Sequence, residues 1–89
     1  MVTVPGGVAL LGAYQVTGSF TDSDFSSDTF TATVDYGDGS PVQTLKLKSG
    51  SKTFKLAHTY AILGTYTVTV TITDDQGMSG TGQATVTAL

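Results

Sequence analysis

Residues 64–77 read GTYTVTVTITDDQG and form the most regular stretch of the 89-residue chain. From Thr65 to Thr73 it alternates strictly, with Tyr66, Val68, Val70 and Ile72 on one side and five threonines on the other. Successive side chains of a strand point to opposite faces, so this pattern predicts one long, half-buried strand. Gly64 before it and the polar run 74–77 after it are typical of turns. A strand with one apolar face requires a second sheet to cover that face.

The same alternation continues on either side of this stretch in shorter segments. We predict strands within residues 2–11, where Pro5-Gly6-Gly7 makes a break, and at 14–20, 29–36, 42–48, 52–56 and 80–88. Residues 49–51 predict a tight turn, so 42–48 and 52–56 are expected to form a hairpin. Short strands separated by regular turn signals predict an all-β fold, an antiparallel β-sandwich of about seven strands in two sheets. Its length predicts one domain over residues 1–89.

The composition restricts the classes of function. Seven aspartates, four lysines and a net charge of −3 argue against nucleic acid and anionic membranes as partners, because both require basic patches. Seventeen threonines and eleven glycines, with no glutamate or arginine, are typical of a β protein. The absence of cysteine excludes thiol catalysis and cysteine–zinc sites. No segment has the length of a membrane span, and a Met directly before a strand predicts a module excised from a longer protein.

Three motifs follow one another along the chain. Residues 34–40 read VDYGDGS, residues 58–61 read HTYA, and the third motif is the stretch 64–77. Together they resemble the polycystic-kidney-disease (PKD) domain, and the resemblance covers nearly the whole chain. Many members carry Trp at the position of Val34, so a smaller core is expected there. The resemblance implies an immunoglobulin-like sandwich with a set of structural residues, namely Asp35, Tyr36, Gly37, Asp38, Gly39, His58, Tyr60 and Tyr66.

Several of these residues also have direct physical roles. Gly37 and Gly39 permit positive φ where the chain turns sharply after a strand. Asp38 between them is expected to accept hydrogen bonds from backbone N–H groups of the turn. Tyr66 opens the long strand after a corner, where sandwich folds often tie a tyrosine hydroxyl to nearby backbone. We therefore expect Tyr66 to hold this corner.

The sequence offers little that could make or break bonds. His58 is the only histidine, and we interpret it as a structural hydrogen-bonding residue. No Gly-x-Ser-x-Gly elbow exposes a serine nucleophile. Paired aspartates are able to perform acid–base chemistry, but a domain of this size leaves little room for a substrate cleft. The sequence therefore predicts that the chain is not an enzyme and requires no cofactor.

Aspartates concentrated in loops raise the alternative of a calcium site. Asp22, Asp24 and Asp28 share one loop, and Asp74 and Asp75 share another. Calcium binds six to eight oxygen atoms, which carboxylates and loop carbonyls supply. The resemblance also implies calcium at such loops, because some PKD domains bind it there. The alternative is that these carboxylates accept hydrogen bonds from backbone N–H groups of the turns. The sequence thus offers calcium as a possible bound metal, with Asp22, Asp24 and Asp28 as its expected ligands.

These observations lead to two alternative functions. The first is a non-catalytic structural spacer or protein-interaction module, one of several in tandem, from a larger extracellular or cell-surface bacterial protein. Its expected partners are neighbouring domains of the same polypeptide, other proteins or carbohydrate, without nucleic acid or membrane insertion, and it is expected to be a monomer. The second is a calcium- or polysaccharide-binding accessory module attached to a secreted hydrolase, for which Phe25 is the candidate carbohydrate-binding aromatic.

Overall fold

The computed structural model describes residues 2–21, 29–47, 51–75 and 77–89. Within these ranges the chain forms eight strands and one short 3-10 helix, and the strands lie in two sheets. In chain order the strands are β1 Val2–Thr3, β2 Gly7–Ala9, β3 Ala13–Phe20, β4 Phe30–Asp35, β5 Gln43–Lys46, β6 Thr53–Thr59, β7 Gly64–Asp74 and β8 Ser79–Ala88; the 3-10 helix is Leu10–Gly12. The predicted all-β sandwich is confirmed.

The first predicted strand is divided between the two sheets. One sheet has the order β1-β3-β6 and the other the order β2-β8-β7-β4-β5. Pro5 lies between β1 and β2, where the chain crosses from one sheet to the other, and its missing N–H breaks no ladder there. This division gives eight described strands in place of about seven. Neighbouring strands are antiparallel except for β2 and β8, which run parallel.

The predicted hairpin of 42–48 with 52–56 is wrong. Strand β5 pairs with β4 in the five-stranded sheet, whereas β6 pairs with β3 in the other sheet through seven register positions. The segment between β5 and β6 therefore passes from one sheet to the other. A short polar turn signal fits a connection between two sheets as well as a hairpin, so the local pattern does not distinguish them. The long β3–β6 ladder and the burial of Phe54 and Leu56 decide the outcome.

The alternation of apolar residues and threonines from Thr65 to Thr73 corresponds to the two faces of β7. Val68, Val70 and Ile72 are fully buried, and the threonines between them face outward. The neighbouring strand β8 pairs with β7 through ten register positions. Burying such side chains contributes about 1.5–3 kcal/mol each, so the central strand supplies a large part of the core.

Aromatic side chains close the core at both ends of the sandwich. At one end the rings of Phe20 and Phe30 lie 4.9 Å apart across the two sheets, and we call this end the phenylalanine pole. At the other end the rings of Tyr14 and Tyr36 lie 6.3 Å apart across the sheets, and we call this end the tyrosine pole. Edge-to-face aromatic pairs of this kind add specific contacts to the apolar burial. The tyrosine pole also carries the motifs VDYGDGS and HTYA and the beginning of the stretch 64–77.

Candidate functional site

The turn after β4 is built around two glycines. Gly37 has φ of 79° and Gly39 has φ of 87°, a region that side-chain-bearing residues rarely adopt. The N–H of Gly37 donates to Oδ1 of Asp35 at 2.9 Å. The α-carbon of Gly37 also packs against the backbone carbonyl of Thr67 so closely that a Cβ atom would overlap it. Glycine at position 37 is therefore required for two reasons, backbone conformation and space.

Asp38 lies at the tip of this turn and gathers three hydrogen bonds. Its Oδ1 atom accepts from the Ser40 hydroxyl at 2.6 Å and from the Ser40 N–H at 3.1 Å. Its Oδ2 atom lies 2.7 Å from Nε2 of His58. The hydrogen bonds from Ser40, followed by the one from His58, lower the pKa of the Asp38 carboxyl to about 2. Asp38 is thus held as a carboxylate that fixes the turn.

His58 comes from β6, in the opposite sheet, and its ring is confined on several sides. It stacks on Tyr36 with ring centroids 4.1 Å apart and an interplanar angle of 6°. The ring of Tyr60 meets it edge-on at 4.8 Å. Only 12% of the His58 side chain is exposed. The contacts therefore orient the ring toward Asp38 and join the two sheets.

Tyrosine hydroxyls bind backbone carbonyl groups around this pair. Tyr60 donates to the carbonyl of Tyr36 at 2.9 Å, in a buried setting, and Tyr36 donates to Ala57 at 3.5 Å. Tyr14 donates to the carbonyl of Pro5 at 2.6 Å. Burial raises the pKa of Tyr14 and of Tyr60 to about 12 and also raises the pKa of Tyr36. These hydroxyls remain protonated donors over the whole neutral range.

Tyr66 closes the corner that leads into β7. Its hydroxyl donates to the carbonyl of Ile62 at 2.6 Å, the backbone tie expected at this position. Its ring stacks on Tyr60 at 4.3 Å with an interplanar angle of 13°. Tyr66 therefore links the corner to the cluster around His58.

The pole contains the residue types of a hydrolase triad, but their hydrogen bonds follow another order. In a triad the histidine lies between the serine and the carboxylate and takes the serine proton. Here Asp38 lies between Ser40 and His58, so the serine hydroxyl donates to a carboxylate and not to the ring. The arrangement suits the fixing of a turn and does not activate a nucleophile.

The structure brings six of the sequence-predicted residues into one connected cluster. These are Tyr36, Gly37, Asp38, His58, Tyr60 and Tyr66, with Asp35 and Gly39 beside them in the same turn. Tyr14 and Ser40 belong to the cluster as well, although sequence reasoning did not include them. Tyr14 begins an alternation of apolar and polar residues along β3, which predicts that its side chain is buried. The alternation does not predict that Tyr14 lies beside Tyr36 and Tyr60.

The predicted calcium ligands Asp22, Asp24 and Asp28 lie outside the described residues, as does Phe25. Asp74 is buried and its Oδ1 atom accepts from the Met78 N–H at 2.8 Å, which closes the turn after β7. Among the residues that the structure describes, no three histidine, cysteine or acidic side chains are grouped as a metal site would require. Calcium binding stays a prediction, and a calcium-dependent rise in melting temperature would support it.

Comparison with known proteins places the chain in a family. Across the described ranges, no helix has the length and apolar character needed to cross a membrane. A search of curated proteins gives no significant match. The family model described as the PKD domain matches residues 8–88, a range that includes strands β3 to β8. Because this match covers far more than half of the sequence, the chain belongs to the PKD domain family.

Proposed function

We propose that this PKD domain is a structural spacer and interaction module that carries tension along a larger extracellular or cell-surface protein. Membership of the PKD family supports a structural or interaction module with an immunoglobulin-like fold within a larger protein. A secreted or cell-surface location and a tandem arrangement are parts of the proposal. The observation that carries it is the parallel pairing of β2 with β8 in a molecule whose chain enters and leaves at opposite poles.

The path of the chain favours transmission of force along the long axis. Val2 pairs with Phe20, at the phenylalanine pole. The N–H of Leu89 donates to the carbonyl of Ala9 at 3.0 Å, and Ala88 pairs with Gly64 at the tyrosine pole. The molecule measures 40 Å along its longest axis and 20 × 17 Å across it. A pull on both ends therefore acts along the strands and not across them.

The pairing of the terminal strands decides how such a pull is resisted. β2 and β8 are parallel, with Gly7, Val8 and Ala9 opposite Val86, Thr87 and Ala88. When parallel neighbours are pulled from opposite ends, their hydrogen bonds are loaded together in shear. An antiparallel pair pulled apart at one end instead opens one bond after another. The β2–β8 ladder is thus expected to act as a clamp.

Single-molecule force measurements test this proposal through the direction of pulling. The chain has no cysteine, so attachment points are free to be chosen. One protein is pulled through its two ends. The matched control is pulled through cysteines introduced as Thr65→Cys and Thr87→Cys, which lie directly opposite each other on the outer face of β7 and β8. We expect the end-to-end pull to require a several-fold higher unfolding force; equal low forces in both geometries would refute the clamp.

The accessory-module alternative remains a separate prediction. Binding of a neutral polysaccharide on a glycan array, lost on Phe25→Ala, would favour it over the spacer. No contact among the described residues points to such a ligand. The spacer is therefore the function that the geometry supports best.

A further inference from the structure

Exposed apolar side chains are distributed very unevenly over the surface. In the described parts of the chain, eight large hydrophobic residues are exposed, and only Met78 lies toward the phenylalanine pole. Five of the others form what we call the leucine patch, at the tip of the tyrosine pole: Leu10, Leu11, Ile62, Leu63 and Leu89, with exposed fractions of 69%, 92%, 73%, 71% and 52%. Large exposed apolar side chains gathered at one end of a domain are a candidate interaction site, whereas single ones scattered over a surface need no explanation.

Backbone contacts bring the three segments of the leucine patch together. The N–H of Tyr60 donates to the carbonyl of Gly12 at 2.9 Å, which sets the 3-10 helix beside residues 61–63. The N–H of Leu89 donates to the carbonyl of Ala9, and Gly64 pairs with Ala88. Leu89 therefore lies between the segment of Leu10 and the segment of Leu63. The three segments therefore lie side by side at this pole, although they are far apart in the sequence.

Leu11 is the most unusual member of the patch. It has φ of 57° and ψ of 25°, in the left-handed region, and it is the one non-glycine residue with positive φ in the described ranges. Bulky residues rarely adopt this conformation, which glycine and asparagine accept far more readily. At 92% exposure its side chain also gains little from burial within this domain. Neither local conformation nor packing within the module explains a leucine at this position.

The patch is free of charge as well as apolar. The segments 9–13, 60–64 and 88–89 contain no charged side chain, on a chain with a net charge of −3. Asp38, in the turn after β4 at the same pole, is held by hydrogen bonds with Ser40 and His58. A partner that presents an uncharged end would meet no buried charge at this surface.

The size of the pole indicates how such a partner is held. The two shorter dimensions, 20 Å and 17 Å, give the pole a projected area of about 340 Å², so the surface available for contact is small. A stable complex between free proteins needs roughly 800 Å² per partner, so a free second copy would bind only weakly. A partner attached to the same chain has an effective concentration of roughly millimolar, and interdomain interfaces of roughly 600–1,500 Å² in total are common. The area therefore favours a tethered partner over a free one.

We propose that the leucine patch seats the next module of the same polypeptide, a second sandwich of this fold. This inference rests on the proposed spacer function, because only a module within a longer chain has such a neighbour. The family match ends at residue 88, beside Leu89, so the module ends within the patch and a following module would lie next to it. A following copy would bring its phenylalanine pole, with the uncharged strand β1 and the exposed Met78. This pole also carries two charged residues, Lys52 beside the Phe30 ring and the exposed Asp75 at the end of β7. Contact at the patch would fix the orientation of one module relative to the next and make a series of modules rigid.

The probe for this proposal is a tandem of two copies of the chain, joined from Leu89 to Met1 without added residues. Nitrogen-15 relaxation measures how fast each copy rotates. We expect a rotational correlation time at least about twofold longer than in a reference tandem joined by about ten Gly and Ser residues, which behave as a flexible coil. Equal correlation times in the two tandems would overturn the proposal.

The substitution Leu11→Asn in the first copy tests the contact between the modules without disturbing the fold of either one. Asparagine tolerates the left-handed conformation, so the isolated chain is expected to keep or raise its melting temperature, while the direct tandem falls to the correlation time of the reference tandem. Met78→Asn in the first copy, at the opposite pole, is the matched control and should leave the tandem rigid. A fall in the melting temperature of the isolated Leu11→Asn chain, with no loss of rigidity in the tandem, would overturn the proposal. The shear resistance of the isolated chain is independent of seating, so failure here is distinguishable from failure of the spacer.

Discussion

Nε2 of His58 lies 2.7 Å from Oδ2 of Asp38, and this contact joins a turn of one sheet to a strand of the other. Asp38 follows β4 in the five-stranded sheet, and His58 belongs to β6 in the three-stranded sheet. The side chains are only 16% and 12% exposed, so solvent screens the interaction less than at an open surface. The pair therefore acts as a cross-link between the sheets at the tyrosine pole.

Removal of this cross-link should lower the stability measurably. We expect Asp38→Ala to reduce the free energy of unfolding by about 1–3 kcal/mol, because it removes the hydrogen bonds from Ser40 and leaves the His58 ring without its carboxylate. Urea unfolding followed by circular dichroism measures the change. The exposed Asp75→Ala is the control, with an expected change within about 0.5 kcal/mol. Equal effects of the two substitutions would show that the cross-link contributes nothing.

The same carboxylate should make the stability depend on acid pH. The pKa of Asp38 is about 2 in the folded state, against 3.8 for a free side chain, so the folded state favours the ionised form. This contribution is fully present above about pH 4 and is lost as the pH falls toward 2. We expect the free energy of unfolding to fall by up to about 2 kcal/mol over this window, after allowance for partial exposure. The difference between the native chain and Asp38→Asn should shrink over the same window; a constant difference would contradict the assignment.

The tyrosines should produce the opposite dependence at alkaline pH. Burial raises the pKa of Tyr14 and of Tyr60 to about 12, against 10.0 for a free tyrosine, so the folded state favours the neutral hydroxyl. This stability is present below pH 10 and is lost as the pH rises from 10 to 12. Each of the two should contribute up to about 2 kcal/mol. Melting temperatures measured between pH 9 and 11.5 should fall less steeply for Tyr14→Phe than for the native chain.

Much of the fold is readable from the sequence because its causes are local. The alternation around Val68 and Val70 reports a half-buried strand directly, and glycine at 37 reports a turn with positive φ. The partner of a strand is a nonlocal property, so the pattern around Gly50 fitted a hairpin that the structure does not form. The cluster around His58 shows the same limit. Its bond to Asp38 spans twenty residues and two sheets, and no local pattern encodes that distance.

The two glycines of the turn after β4 allow the steric cost of a Cβ atom to be compared with the strain of a positive φ angle. Both have positive φ, but a Cβ at Gly37 would overlap the carbonyl of Thr67, whereas a Cβ at Gly39 would meet none of the described atoms within 4 Å. We expect Gly39→Ala to reduce the free energy of unfolding by about 1–2 kcal/mol, the strain of the left-handed conformation alone. Gly37→Ala should reduce it by roughly 3 kcal/mol or more, because the backbone of β7 must also move. Thermal unfolding distinguishes them, and similar losses would mean that the contact with Thr67 relaxes freely.

Removing the hydroxyl of Tyr60 or of Tyr66 should show that a hydrogen bond to a buried carbonyl contributes more to the free energy of unfolding than one to an exposed carbonyl. Tyr60→Phe leaves the buried carbonyl of Tyr36 without the hydrogen bond it accepts at 2.9 Å, and Tyr66→Phe does the same at the exposed carbonyl of Ile62. Water can replace the donor at Ile62 but has little access to the carbonyl of Tyr36, so the losses should differ. We expect about 1–3 kcal/mol for Tyr60→Phe and about 0.5–1 kcal/mol for Tyr66→Phe. Both variants keep their rings, which stack on each other at 4.3 Å, so packing is matched and urea unfolding reports the hydrogen bonds alone. A larger loss for Tyr66→Phe would assign the stability of this pole to the corner and not to the buried cluster around His58.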